Sequence, residues 1–273
     1  MCGYCNTYYN KDDDFINPFD QKDKDGLVDG VFQKVIHIGN LPKNIYQKTA
    51  GKLAEGVFKG YGKNMMEVVF ESPDYAMLLD LTENIYMFSA AKTYQQVRMV
   101  TDLLTIQEYK TNFYKFKKAA GEIFEEYNVN YLKAEYNTAI GSSRMAAYWQ
   151  QISEEEDVLE SLQYETVGDA RVRPTHKSLD NIVRPVEDKF WDNYFPPNGW
   201  NCRCTVKQVT DEDKTNLRGF KRPNDVPLEF MMNSGKDRIV FSPKHPYFKV
   251  AKGDKALAER NFNLPLPERK NKL

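Results

Sequence analysis

Residues 168–206 constrain the fold of this 273-residue chain more than any other segment. Within about forty residues they hold four arginines, a histidine, four prolines, two tryptophans and a Cys-x-Cys pair. A generic hydrophobic core does not explain such a density of special side chains. The stretches around residues 161–173 and 200–209 are rich in β-forming residues, and proline-bearing loops separate them. The segment therefore predicts short strands joined by well-defined loops.

Apolar residues recur at helical spacing through residues 42–160, which predicts a largely helical N-terminal half. The stripe that begins at Ile45 predicts a helix ending near Gly60. Ser72, followed by a proline and an aspartate, provides the N-cap and first turn of the next helix. Further helices are predicted over residues 94–108, 113–127 and 131–150.

The two ends of the chain lack this periodicity. The first forty residues are acidic and predict an arm, and residues 20–26 (DQKDKDG) predict a solvated loop because the calcium-loop pattern fails at Gln21 and Phe32. Near the C-terminus only residues 238–241 suggest a strand. The chain is thus predicted to be α+β. Its predicted parts are an N-terminal arm (1–40), a helical region (41–130), a small mixed core (131–210) and an irregular C-terminal extension (211–273).

Composition excludes several classes of protein. The formal net charge is −1, from 38 basic and 39 acidic residues, so there is no global positive field that would attract nucleic acid or an anionic membrane. No apolar run approaches the roughly 20 residues that cross a bilayer. The polar N-terminus carries no secretory signal. These features predict synthesis in the cytosol, where structural disulfides are rare.

Cys202 and Cys204 lie two residues apart, so in an extended segment both thiols point to one face, with Arg203 facing away. One interpretation is a structural zinc site built from these thiols and His176, with Asp169 or Asp180 as the fourth ligand. The other has no metal: the cysteines pack as small apolar groups and the histidine bonds a backbone carbonyl. A further CxxC pair at Cys2 and Cys5 could also complete a four-cysteine site.

Arg171 and Arg173 alternate in the predicted strand and so share a face. They can lock the loops by pairing with carboxylates, or they can contact phosphate or packaged nucleic acid. The candidate carboxylates are Asp169, Asp180 and Glu187.

Trp191 and Trp200 flank Pro196 and Pro197. This arrangement predicts a folded loop that closes over the core, and an exposed aromatic platform for bases is the alternative.

Several of these residues together form a recognisable pattern: GDARVRPTH at residues 168–176, Leu179-Asp180, Trp191, and PPNGWNCRCTV at residues 196–206. In this combination the chain resembles the phage Mu F-like head morphogenesis family of tailed phages and prophages. Residues 131–149 (YLKAEYNTAIGSSRMAAYW) resemble the helix that precedes this core in the family. One departure is Asn181, where the family often has glycine. A tight turn is still feasible there, because asparagine tolerates the left-handed region.

The resemblance implies a minor head protein that acts structurally in head morphogenesis. Its implied partners are the portal protein, the major capsid protein, other virion proteins and packaged phage DNA, with no membrane. It implies a location in the virion head, and in the host cytoplasm during assembly, with the helical N-terminal part used for docking. The core of residues 131–210 would be the Mu F-like core. Its motif residues are expected to be structural: Asp169, Arg171, Arg173, His176, Asp180, Trp191, Pro196, Pro197 and Trp200.

An effector enzyme is the alternative function, because Mu F-like cores are sometimes fused to toxin domains and a head can deliver a nuclease or a transferase. The sequence shows neither clustered acid–base residues nor a glycine-rich phosphate cradle. Cys204 and His176 could form a nucleophile–base pair, but no third group stands out to orient them. His245 is expected to pack or cap, and His37 lies in a strand-like stretch. We therefore expect a structural protein with no catalytic residues.

Overall fold

Helices occupy most of the chain up to residue 155 and a small antiparallel sheet follows, so the predicted α+β class is confirmed. The computed structural model describes residues 15–155, 158–210, 214–217 and 226–268. Cys2 and Cys5, with the CxxC motif they form, lie outside these ranges. The first six helices are α1 (Gln21–Phe32), α2 (Lys43–Tyr61), α3 (Pro73–Leu103), α4 (Gln107–Thr111), α5 (Phe113–Glu125) and α6 (Leu132–Glu155).

The later elements are short. In chain order they are β1 (Ser161–Glu165), α7 (Pro174–Lys177), β2 (Val183–Pro185), α8 (Trp191–Tyr194), β3 (Thr205–Val209), α9 (Ser234–Asp237) and α10 (Lys255–Ala258). Single 3₁₀ turns lie at Leu228–Phe230, Pro246–Phe248, Lys252–Asp254 and Asn261–Asn263. None of the helices in the described ranges has both the length and the apolarity needed to span a bilayer.

The cap of α3 is confirmed, since the Ser72 hydroxyl accepts a hydrogen bond of 3.1 Å from the backbone N–H of Tyr75. The helix then continues for 31 residues to Leu103, so the separate helix predicted over residues 94–108 is wrong. The residues between the two apolar stripes include neither glycine nor proline. The hydroxyls of Ser89 and Thr93 bond back to carbonyls one turn earlier, which keeps them inside the helix.

The two helices predicted over residues 113–127 and 131–150 are α5 and α6, with only helical residues between them. A π-helical segment, Glu126–Tyr131, connects α5 to α6 without a break. The extra residue per turn in such a segment shifts the helix face. This shift explains why the apolar periodicity suggested two helices instead of one.

The solvated loop predicted at residues 20–26 is wrong, because these residues begin α1. Asp20 and Asp23 form a capping box, in which each carboxylate accepts a hydrogen bond from the other's backbone N–H. Leu27, Val28 and Val31 bury one side of the helix. Three apolar residues in an acidic stretch were too few to show helical periodicity.

The strand predicted at residues 238–241 is also absent. Arg238 has a φ of 57°, in the left-handed region, where it ends the short helix α9. Its guanidinium Nε donates to Asp80 Oδ2 at 2.5 Å. His37 does not lie in a strand either, since it makes only an isolated bridge with Asn40 across a turn.

The chain divides into two compact units. The motif unit comprises Gly56–Leu81 and Asn137–Lys244, and the helical unit comprises Ile16–Glu55, Thr82–Tyr136 and the described part of His245–Leu273. Each unit has its own buried cluster of apolar side chains. The core of the helical unit includes Leu27, Ile45, Tyr46, Tyr94, Val97, Phe116, Phe124 and Phe262.

The motif unit contains the sheet, whose strand order is β2-β1-β3 with both pairings antiparallel. Leu162 and Tyr164 alternate with more exposed residues along β1, so both point into the core. Val206 on β3 pairs with Tyr164 and is buried as well. The sheet thereby fixes the position of the loops that carry the motif residues.

A close approach between helices in the motif unit depends on Gly60. A Cβ added there would lie 2.2 Å from the carbonyl oxygen of Ile140 on α6, and backbone atoms cannot easily move away. We expect Gly60→Ala to destabilise the protein by about 1 to 3 kcal/mol despite the better helix propensity of alanine. Urea unfolding followed by circular dichroism measures this change.

Gly51, on the same helix α2, is the matched control. It is exposed, and a Cβ there would meet nothing within 4 Å. We expect Gly51→Ala to stabilise the protein by about 0.5 to 1 kcal/mol, from helix propensity alone. Stabilisation by both substitutions would contradict the close packing at Gly60.

Candidate functional site

Side chains from four parts of the motif unit meet around His176. The histidine lies on α7 and is only 3% exposed. Tyr164 comes from β1, Asn198 follows the cis peptide bond between Pro196 and Pro197, and the two cysteines precede β3. Loops that are far apart in sequence are thus connected through one buried imidazole.

Both ring nitrogens of His176 have partners. Nε2 lies 3.2 Å from the carbonyl oxygen of Asn198, and because a carbonyl can only accept, this nitrogen carries the proton. In the neutral ring Nδ1 then has a free lone pair. That nitrogen faces the sulfurs of Cys202 and Cys204, at 3.6 Å and 3.5 Å.

The two thiols also affect each other. The hydrogen bond from Cys204 lowers the pKa of the buried Cys202 thiol. The same contact with Cys202, together with burial, raises the pKa of Cys204. The pair therefore gives up its first proton far more readily than its second.

Asn198 hydrogen-bonds His176, and Tyr164 in turn hydrogen-bonds Asn198. Neither residue was identified from the sequence. The Tyr164 hydroxyl donates to Asn198 Oδ1 at 3.0 Å, and both side chains are fully buried. Asn198 also donates through Nδ2 to the carbonyl of Phe195. An asparagine between Pro-Pro and glycine looks like an ordinary turn residue in sequence, so the pattern gave no signal for this role.

Among the described residues, His176, Cys202 and Cys204 could hold a metal ion, since Nδ1 and the two sulfurs all lie within 4.8 Å of one another. Asp169 and Asp180, considered as a fourth ligand, are not part of this group in the described structure. Asp180 Oδ1 instead accepts the backbone N–H of Thr166 at 2.8 Å.

Asp169 makes a two-pronged ion pair with Arg203, at 2.6 Å and 2.7 Å. These hydrogen bonds hold the pKa of Asp169 well below its usual range. The sequence placed Arg203 on the side away from the thiols but did not identify this partner. The ion pair joins the loop before α7 to the segment before β3.

The strand predicted for residues 169–173 is wrong, and Arg171 and Arg173 do not alternate on one. These residues form a turn, in which the Arg171 N–H bonds the Asp169 carboxylate at 3.0 Å. The Arg171 side chain is 70% exposed and lies 3.5 Å from the same carboxylate. Arg173 donates to the carbonyl oxygen of Trp200 at 2.6 Å, so it locks a loop through backbone and not through a carboxylate.

The tight turn expected at Asn181 is confirmed by its φ of 62°. Glu187, the remaining candidate partner of the arginines, is exposed. Its neighbour Asp188 binds Arg184 instead, through a hydrogen bond of 2.9 Å from Arg184 Nε.

Trp191 is fully buried beside Phe195, whereas Trp200 is partly buried and packs edge-on against Phe230 at 5.0 Å. Pro196 and Pro197, which lie between the two tryptophans in the sequence, are both buried. The folded loop predicted from these residues is therefore present.

His245, in the helical unit, caps a 3₁₀ turn by accepting the Tyr247 N–H at 3.2 Å, as expected. Burial, with a smaller effect of Lys92, lowers its pKa to about 4.

Comparison with known proteins gives a consistent result. A protein of Escherichia phage Mu named "Putative capsid assembly protein F" is 42% identical over 84 residues, which cover 31% of this chain and 17% of that protein. The "Mu-like prophage FluMu F protein" of Haemophilus influenzae is 34% identical over 76 residues, covering 28% of this chain and 18% of the relative. The chain thus matches less than a fifth of either relative's length. No solved structure matches it significantly.

The sequence model of one family spans the whole motif segment and the helices before it from the second half of α2 onward. This model, described as Phage Mu protein F like protein, matches residues 52–207. That range covers more than half of the 273 residues, and it contains His176, both cysteines of the CxC pair, and Trp191. The chain therefore belongs to the Phage Mu protein F like family.

Proposed function

We propose that this protein is a structural component of a tailed-phage head. It is made in the host cytoplasm and joins the head during assembly. The observation that carries this proposal is the family match, supported by a relative whose name assigns it to capsid assembly. The finer part of the proposal is that the chain contacts the portal protein, with the major capsid protein as a second partner.

The arrangement of the motif residues supports a structural role over a catalytic one. His176, Tyr164, Asn198 and Trp191 are buried, and their hydrogen bonds connect parts of the same unit. A catalytic pair would need at least one reactive group directed at a bound substrate. The motif here stabilises the fold that other surfaces of the protein use.

The partner's chemistry follows from charge and exposure. With a net charge of −1 the chain has no overall attraction for DNA. The 62–72 loop of the motif unit exposes Met66 and Val69, at 93% and 77%. Phe70 in the same loop is 46% exposed, and exposed apolar side chains grouped together mark surfaces that bind other proteins. This loop is where we place the contact with a head protein.

Co-sedimentation tests the proposal directly. The full chain is incubated with heads that lack it, with isolated portal rings and with capsid shells without portals. Heads and portal rings are expected to bring it into the pellet, and binding that survives DNase is due to protein contacts. If the chain bound neither heads, nor portal rings, nor capsid shells, the head assignment would be refuted. Its absence from purified virions by mass spectrometry would refute it as well.

Replacing Met66 and Val69 together by serine is expected to reduce binding to heads at least tenfold, about 1.4 kcal/mol or more. Stability should change by less than about 0.5 kcal/mol, because both side chains are exposed. The matched control replaces Val158 and Leu228, two exposed apolar residues elsewhere in the same unit. Equal loss of binding in both double variants would mean that the 62–72 loop is not the contact.

A further inference from the structure

We propose that His176, Cys202 and Cys204 bind one zinc ion, through Nδ1 of the imidazole and the two thiolate sulfurs. The proposal is independent of the role in head assembly, since it concerns the isolated chain. It rests on three features of the described structure: the spacing of the ligand atoms, the proton position on the imidazole, and the partial exposure of one sulfur.

The two nitrogen–sulfur distances are those of a tetrahedral zinc site. Zinc–sulfur bonds of about 2.3 Å and a zinc–nitrogen bond of about 2.0 to 2.1 Å place sulfur and nitrogen about 3.6 Å apart at a tetrahedral angle. The observed distances from His176 Nδ1 are 3.6 Å to Cys202 Sγ and 3.5 Å to Cys204 Sγ. All three atoms lie within 4.8 Å of one another, and the nitrogen is at bonding geometry to both sulfurs through one ion.

A site without metal accounts less well for this arrangement. Nδ1 has one lone pair and can accept one good hydrogen bond, yet two sulfurs approach it at nearly equal distance. A disulfide between residues two apart would close a small, strained ring. A cation between the three atoms satisfies the nitrogen and both sulfurs together.

The surroundings of His176 resemble the outer shell of known zinc sites. In such sites the ligating histidine usually donates its other N–H to a carbonyl or a carboxylate, which fixes the ring and its tautomer. His176 Nε2 makes this contact with the carbonyl oxygen of Asn198, at 3.2 Å. The lone pair of Nδ1 therefore points at the proposed ion.

The donor set selects the type of metal. Two thiolates and an imidazole suit zinc, whereas calcium and magnesium take oxygen ligands. Cys204 is only partly buried, which gives an ion a path from solvent, while His176 and Cys202 are in the interior. Each thiol must release its proton for the ion to bind, so binding weakens as the pH falls.

Metal analysis and cobalt spectroscopy test the proposal on the full chain. The purified protein is stripped with a chelator, reduced, and titrated with zinc alone or cobalt alone. We expect one ion per chain, with cobalt giving the visible bands of a tetrahedral site and thiolate charge-transfer absorption. A wild-type chain that takes up no zinc, or a cobalt spectrum without thiolate bands, would overturn the proposal without any variant being needed.

Variants identify the ligands. We expect Cys204→Ser and His176→Gln to weaken zinc binding by at least about 100-fold, since loss of an outer-shell partner alone costs about 10- to 100-fold. The control is the double variant Cys2→Ser/Cys5→Ser, which removes the other cysteine pair and is expected to keep one zinc per chain. Loss of zinc from that control, or its retention in Cys204→Ser, would contradict the proposed ligands. Circular dichroism of each variant confirms that it has folded.

Discussion

Replacing Lys92 with methionine is expected to lower the free energy of unfolding by about 3 to 5 kcal/mol at about pH 8. Lys92 on α3 and Glu135 on α6 form an ion pair in the helical unit, and their side chains are only 1% and 2% exposed. Tyr247 adds a hydrogen bond of 3.1 Å from its hydroxyl to the carboxylate. Removing the ammonium leaves a carboxylate in the interior without its counter-charge, which is the source of the loss.

The loss should shrink as the pH falls. Burial raises the pKa of Glu135, and Lys92 opposes this rise. Without Lys92, the pKa of Glu135 in the folded state lies further above its value in the unfolded state. A carboxyl group with a raised folded pKa contributes stability that is present at low pH and is lost as the pH rises through that pKa. Lys92→Met should therefore approach the wild type as the pH falls toward the unfolded-state pKa of the carboxyl group, in urea unfolding followed by far-ultraviolet circular dichroism.

Two further variants separate this effect from lost packing. In Lys92→Met/Glu135→Gln no charge is buried and the amide oxygen can still accept from Tyr247, so the double variant should be more stable than Lys92→Met alone at about pH 8. Lys115→Met breaks the exposed pair with Glu108 and should change stability little. A Lys92→Met variant that behaves like Lys115→Met, or a loss that does not depend on pH, would show that the buried pair is not ionised.

Local signals in the sequence predicted the helices whose ends carry caps. The Ser72 cap and the glycine near the end of α2 mark backbone positions that few residues satisfy, so they can be found without tertiary information. The missing α1 was an error of another kind, and the predicted helices over 113–127 and 131–150 are joined by helical residues that the sequence did not show. A π-helical segment breaks the period without breaking the helix, and α1 shows only three buried apolar residues, Leu27, Val28 and Val31.

The sequence identified which residues form the site, but not which of them bind each other. Residue type and spacing brought His176 and the CxC pair together as candidates, because imidazole and thiols have few structural uses in such proximity. Which carboxylate meets which guanidinium could not be predicted: Asp169 binds Arg203, 34 residues away, and Arg173 binds a carbonyl. Such pairs depend on how loops cross in three dimensions, and the sequence alone does not encode that in a periodic pattern.

Tyr164 and Asn198 illustrate the same limit at the core of the site. Tyr164 reads as one of several aromatic residues in a strand, and only its pairing with Asn198 shows that its hydroxyl supports the histidine. A buried polar group needs a partner, but the partner can come from any part of the chain. The sequence therefore shows that Tyr164 needs a hydrogen-bond partner if it is buried, and only the structure shows that the partner is Asn198.

Trp191→Ala should be the most destabilising substitution in the motif unit, with a loss of about 3 to 5 kcal/mol. Trp191 is fully buried and packs edge-on against Phe190, with ring centroids 4.9 Å apart. Its indole Nε1 also donates to the carbonyl oxygen of Pro185 at 2.9 Å. Alanine would leave a cavity in the core and would remove the hydrogen bond that holds β2 to α8.

The remaining tryptophans make this measurement specific to the motif unit. All three tryptophans of the chain, Trp149, Trp191 and Trp200, lie in that unit, so the fluorescence of the other two reports its unfolding in urea. Trp191→Phe keeps most of the ring volume and loses only the N–H, so a smaller loss of about 1 to 3 kcal/mol is expected. Leu228→Ala, at an exposed site, should stay within about 0.5 kcal/mol of the wild type. If Trp191→Ala and Leu228→Ala unfold at the same urea concentration, Trp191 cannot be the centre of the core, and the role of the motif in holding that unit together would have to be abandoned.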